Sequence, residues 1–231
     1  MTRKDDIEAL LERAEKAEPK LTEEYNKSLH DKTIGSDLKI DIKDYFSNLR
    51  SILDYLAHDI LEKYCPNADP KDRLYFPIGA DQSSFEGIMR KSYPDLSLSS
   101  AKVYSILENI QPYQKPENRW LSSFNKINNE NKHSQLTPQK RTETKRVNVQ
   151  INNGGSVSWD PSAVRFGSGV FIGGVPVNPS TQMPVPSNTQ TIIIETWVDF
   201  QFEDTDISAI WLIRESLKYV KEIFNNLRND I

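Results

Sequence analysis

Apolar side chains recur at steps of three and four from Ile7 through Leu10, Leu11, Ala14, Ala17, Leu21 and Tyr25 to Leu29. That is the period of a helix burying one stripe. Pro19 falls inside the run and predicts a kink or interruption, because proline lacks the N–H that the helix ladder needs. "HDKTIGSDLK" predicts a turn. A second stripe then runs through Tyr45, Phe46, Leu49, Ile52, Leu53, Leu56, Ile60 and Leu61, predicting a long helix that ends before Pro66. "CPNADPKDRLYFPIGADQ" reads as loop with extended pieces. Ser83 and Glu86 have the spacing of a capping box and open a short helix. Further helices are predicted over about 98–110 and about 116–134, the latter begun by Pro116, where a missing N–H costs least.

The period changes near residue 143. In "TKRVNVQINNGGSVSWD", Val147, Val149 and Ile151 alternate with polar residues, Asn153-Gly154 supplies a tight turn, and Val157 and Trp159 resume the alternation. This pattern predicts a β-hairpin. "TIIIETWVDFQF" predicts a strand with Ile192, Ile194, Thr196, Val198, Phe200 and Phe202 on one face. Helical period returns from Asp206 through Ile207, Ile210, Trp211, Leu217, Val220, Phe224 and Leu227, with Asp204 or Thr205 placed to cap it. A helix following a sheet needs an apolar surface to cover, and the earlier helices offer one. The expected fold class is α+β, mainly α: a helical bundle with a small antiparallel β-sheet inserted between the fifth and last helices. The expected organisation is a single domain over 1–231, with bundle 1–142, sheet 143–203 and a last helix 204–231 returning to the bundle.

Composition narrows the chemistry. A formal net charge of -4 over 231 residues argues against a chain that coats nucleic acid or an anionic membrane along its whole length. No apolar run approaches the roughly 20 residues that span a bilayer, and the amino-terminal segment is charged throughout, so a cytoplasmic protein without membrane contact is expected. Cys65 is the only cysteine, which leaves no intrachain disulfide and no cysteine-based zinc cluster, and no cofactor or metal is expected. The histidines are His30, His58 and His133. Phosphate-loop, dinucleotide, nucleophile-elbow and zinc-protease motifs are missing from the sequence.

The chemistry that remains is a polar cluster. In the helix from 116, Trp120, Leu121, Phe124 and Ile127 form the core stripe, and its continuation falls on Asn128 and Asn131. A buried amide without a partner costs on the order of 1 to 3 kcal/mol, so such positions must face other polar groups. The second helix offers Arg50, Asp54 and His58 at i, i+4, i+8. The expectation is that Arg50 and Asp54 meet Asn128 and Asn131 across a helix–helix interface. An ordinary surface pair, a structural network and a functional site are all open for this cluster. The segment from Lys115 to Arg146 carries eight Lys and Arg against three Glu, so Lys126, Lys132, Lys140 and Arg141 are candidates for phosphate contact, with a solvated face as the plainer reading.

"NLRSILDYLAHDI", "YFPI", "ILENIQPY" and "WLSSFNKINNENKH" occur in this order over roughly residues 40 to 135. The set resembles a group of uncharacterised bacterial and phage-associated proteins, and the helical core resembles the broad HEPN superfamily. That resemblance implies a helical bundle, a homodimer, an RNA or protein partner, and a place in bacterial defence or toxin–antitoxin systems. Its nuclease members cleave RNA without metal, using an Arg followed after four to six residues by His on one helix. In this chain Arg50 and His58 have seven residues between them, and His133 is preceded at the family distance by Lys126 or Asn128. The resemblance therefore offers two functions. One is a non-catalytic binding or interaction module. The other is a metal-independent ribonuclease with Arg50 and His133 or His58 as its catalytic groups, a base for the ribose hydroxyl and a cation for the phosphorane charge.

Overall fold

A computed structural model describes residues 2–31, 34–69, 74–133, 139–152, 154–202 and 207–231; the side chains at 30–31, 131–133, 139–141, 144 and 195–198 are outside that description. Contacts divide the chain into two compact units, one of residues 1–140 with 200–231 and the other of residues 141–199.

The first unit is built on two long helices, α1 (Arg3–Asp31) and α2 (Ser36–Tyr64), which pack along each other. Of the kink or interruption expected at Pro19, the interruption does not occur: α1 is one continuous helix through it. Ala14 on one side of the proline and Leu21 and Tyr25 on the other are buried in the same core. Packing on both sides of Pro19 thus offsets its local cost of about 3 kcal/mol. α2 buries the predicted stripe, with Phe46, Leu49, Ile52, Leu53, Leu56 and Ile60 all inaccessible, and ends at Tyr64 as its sequence predicts.

Shorter helices follow: α3 (Gln82–Ser92), α4 (Leu96–Ser99) and α5 (Ala101–Asn109), then a 3-10 turn at Pro116–Asn118 leading into α6 (Arg119–His133). The capping box of α3 starts at Asp81, not Ser83. The Asp81 carboxylate accepts from Ser84 N at 2.7 Å, and Ser84 Oγ accepts from Asp81 N at 3.0 Å. A carboxylate at this position also complements the positive end of the helix, which a serine does not.

The closing helix α7 (Ala209–Leu227) packs against α1, α2, α5 and α6 with Leu212, Ile213, Val220, Ile223 and Leu227 buried. Its cap is Ser208, whose hydroxyl accepts from Trp211 N at 3.4 Å. The expected caps Asp204 and Thr205 lie outside the described residues, and Ile207 belongs to a two-residue strand preceding the helix.

The strands are β1 (Gln139–Ile151), β2 (Ser156–Trp159), β3 (Phe171–Ile172), β4 (Val175–Asn178), β5 (Met183–Pro184), β6 (Gln190–Phe202) and β7 (Ile207–Ser208). They form a four-stranded sheet ordered β2-β1-β6-β7 and a three-stranded sheet β3-β4-β5. The predicted hairpin is present, with Val147 opposite Trp159 and Val149 opposite Val157. Gly154 and Gly155 turn the chain at φ of 109° and 96°, which other residues adopt only with strain. Val147, Val149, Trp159, Ile172 and Val177 make the second unit's own core.

The expectation of one apolar face along β6 holds only in pieces. Phe200 and Phe202 are buried in the core of the first unit, where Tyr25 Oη accepts from Phe200 N at 2.9 Å. Ile192 is half-buried and Ile194 is 54% exposed. Thr196 and Val198 lie outside the described side chains. A 13-residue strand that contributes to two separate cores need not keep one face buried throughout.

Candidate functional site

Among the described residues, Arg50 is the charged residue that the fold buries most deeply, at 6% exposure, on the flank of the α2 stripe. Its Nε lies 3.2 Å from Asp54 Oδ1 and 3.3 Å from Oδ2, one helical turn on. Its Nη1 donates to Asn125 Oδ1 on α6 at 2.9 Å. This is not a fully exposed surface pair: a buried Arg50 and the half-buried Asp54 and Asn125 form a network linking two helices. The amide is not the expected one. Asn128 is buried at 3% exposure but turns back on its own helix, donating to Phe124 O at 2.9 Å. Asn131 sits on α6 with its side chain outside the described set. Asn125 lies one turn after Leu121, and a polar residue continuing that core row was the signal available in the sequence.

Asp54 has a second task. Its Oδ1 accepts from Phe76 N at 3.0 Å, in the extended "LYFPIG" segment. Tyr93 Oη donates to Tyr75 O at 2.9 Å, Gln111 Nε2 donates to Pro77 O at 3.0 Å, and Gln111 Oε1 accepts from Gly79 N at 2.8 Å. A segment outside any sheet thus has its buried backbone groups satisfied by side chains from three other places in the chain. The four landmarks "NLRSILD", "YFPI", "ILENIQPY" and "WLSSFN" converge here through Asp54, Phe76, Gln111 and Asn125. Burial, with the Asp54 charge a smaller cause, pushes the Tyr93 hydroxyl far above its ordinary value, so it acts only as a neutral donor.

This strap, α3 and α6 wall a cleft of about 790 Å³. Arg50, Lys91, Ser84, Ser92, Asn125 and Asn129 supply its polar lining, and Tyr75, Phe76, Ile78 and Ile88 the apolar part. Tyr75 is 50% exposed, and the Arg50 guanidinium carbon lies 5.9 Å from its ring centroid. Arg50 Nη2 meets no acceptor among the described residues. Arg50 itself lines the cleft. Nearby cations and hydroxyls make this a site that attracts an oxygen acceptor.

Of the other sequence candidates, His58 and Lys126 do not join it. His58 is exposed, lies eight residues beyond Arg50 and does not line the cleft. His133 is the last residue of α6, at i+8 from Asn125 and i+4 from Asn129, with its side chain outside the described set. Lys126 is an exposed partner of Glu130 at 3.8 Å, the geometry of a surface helix pair. The side chains of Lys132, Lys140 and Arg141 fall outside the description, as does that of His30. Among the described residues no group of three His, Cys, Asp or Glu is placed to hold a metal, and no helix is long and apolar enough to cross a membrane. A scan against protein families, a search of curated proteins and a search of solved structures each return no match.

Proposed function

We propose that this chain is a non-catalytic, HEPN-like binding module, acting in a bacterial defence or toxin–antitoxin setting, and that the Arg50 cleft receives its ligand or partner. The observation that carries this reading is the division of labour at Arg50. Two of its nitrogens are committed to Asp54 and Asn125, the third has no acceptor among the described residues, and the residue lines a cleft with a second cation, two amides and two serine hydroxyls. Such a lining binds an acceptor. Proton transfer would need a group that changes protonation near neutral pH within reach of the same ligand.

A metal-independent ribonuclease is the second reading, and one observation favours it. Asn125, Asn129 and His133 fall on one row of α6, and the first two line the cleft. The deciding experiment is cleavage of labelled RNA by purified protein in EDTA, beside folded Arg50→Ala and His133→Ala variants. The binding-module reading expects no cleavage above a mock preparation. Cleavage that disappears in either variant replaces it with the ribonuclease. The homodimer implied by the resemblance belongs to the same proposal. Light scattering at tens of micromolar should return twice the 26.6 kDa chain mass, and a monomer removes it.

A further inference from the structure

We infer that the Arg50 cleft is a site for a small organic carboxylate with an apolar, preferably aromatic, body. The inference rests on the binding-module reading and adds the ligand's chemistry to it.

Charge sets the head group. Arg50 carries the Asp54 carboxylate against its Nε at 3.2 Å, so the two together present a nearly neutral, strongly donating surface. Lys91, exposed on α3 and with no ion-pair partner among the described residues, adds one positive charge. The one net positive charge of the described lining, with Nη2 meeting no acceptor among the described residues, matches a single negative charge carried on acceptor oxygens. No carboxylate lines the cleft among the described residues to repel it. A nucleic-acid strand would bring one charge per nucleotide and would call for a cationic track, whereas the described cleft offers Arg50 and Lys91 alone.

Shape sets the body. The volume of about 790 Å³ falls within the range of roughly 300–1,000 Å³ typical of small-molecule sites. Ile78, Ile88 and Phe76 give it an apolar wall, and the half-exposed Tyr75 ring offers a flat face beside the guanidinium. Tyr75 is held by its backbone: Tyr93 fixes its carbonyl, and Asp54 fixes the next N–H. The backbone that carries the ring is therefore fixed before a ligand arrives, which lowers part of the ordering cost of binding.

Gly87 permits a test that does not touch the polar network. It lines the cleft from α3, and a Cβ added there meets nothing within 4 Å. Leucine at this position adds volume at the cleft wall while improving helix propensity. The full chain would be titrated with benzoate and 3-phenylpropionate by saturation-transfer NMR, beside benzamide as the neutral isostere, inorganic phosphate and AMP. Both carboxylates should bind, benzamide should bind about tenfold or more weakly because it lacks the charge, Lys91→Gln should weaken the carboxylates several-fold, and Gly87→Leu should abolish binding with an undiminished melting temperature. Four results would overturn the inference: neither carboxylate binding, benzamide matching benzoate, phosphate or AMP binding more tightly than both, or Gly87→Leu binding like the parent. The RNA-cleavage assay is read independently. Failure of the carboxylates without cleavage removes this inference alone, whereas cleavage removes the reading beneath it.

Discussion

Arg50 and Asp54 are side chains whose meaning depends on what surrounds them. One turn apart on a helix they could be a solvated pair worth less than about 1 kcal/mol; buried, each relies on the other. Asp54→Ala would leave the Arg50 charge uncompensated and Phe76 N without its acceptor, so urea unfolding should show a loss of about 3 kcal/mol. Asp54→Asn keeps an acceptor oxygen and should lose less. The pair was legible as a cluster from its spacing, and the buried amide of Asn128 was legible as an anomaly on α6. That Asn125 supplies the bond and Asn128 turns inward on its own helix was not, because adjacent rows of one helix differ by a rotation that only packing decides. Cys65 gives a second test at this scale. Burial, with a contribution from Asp95, raises its thiol from the usual 9.0 to about 11. The folded state disfavours the thiolate, so the stability linked to Cys65 is complete below the unfolded pKa near 9 and is lost as pH rises towards 11. At about pH 8 a thiol reagent should leave the native protein unmodified and titrate one equivalent after denaturation.

At the scale of elements, two glycines separate backbone need from open space. A Cβ at Gly79 would stand 2.6 Å from the backbone nitrogen of Phe85, and the Gly79 N–H is held by Gln111. Gly79→Ala should therefore cost about 1–3 kcal/mol in thermal or urea unfolding, through forced displacement of the start of α3 against the strap. Gly87→Ala, with no neighbour for its methyl group, should stabilise by about 0.5–1 kcal/mol. Ser208→Ala should cost about 1 kcal/mol as the loss of the α7 cap. The period of the apolar residues was sufficient to place the long helices and the hairpin, since each is a repeated local pattern. The caps were less legible. Asp81 precedes the predicted serine by two positions, and Ser208 is the second of an unforeseen pair of strand residues. A cap depends on where the backbone leaves the helix, and several Ser, Asp and Thr residues near each terminus could serve.

For the whole molecule, acid should weaken the fold through carboxylates held ionised by their partners. The Arg3 guanidinium, bonded to Glu62 and Asp59, holds the Glu62 carboxyl below its usual 4.5, and the N–H of Ser84 does the same for Asp81. Depressed folded values mean that this stability is present above the unfolded pKa and is lost as pH falls through the folded one. A Glu62→Gln, Asp81→Asn variant should show a flatter loss of melting temperature than the parent between about pH 5 and pH 3. The sequence by itself determined the α+β, mainly helical class, the insertion of strands before the last helix, and the presence of a polar anomaly on α6, because periodicity and composition are properties of neighbours along the chain. Tertiary structure alone decided that the strap of "YFPI" is pinned by Asp54, Tyr93 and Gln111, that Asn125 is the partner of Arg50, and that this arginine lines a cleft. Those facts join residues as far as 75 positions apart, and a hydrogen bond across such a separation leaves no period in the sequence to read.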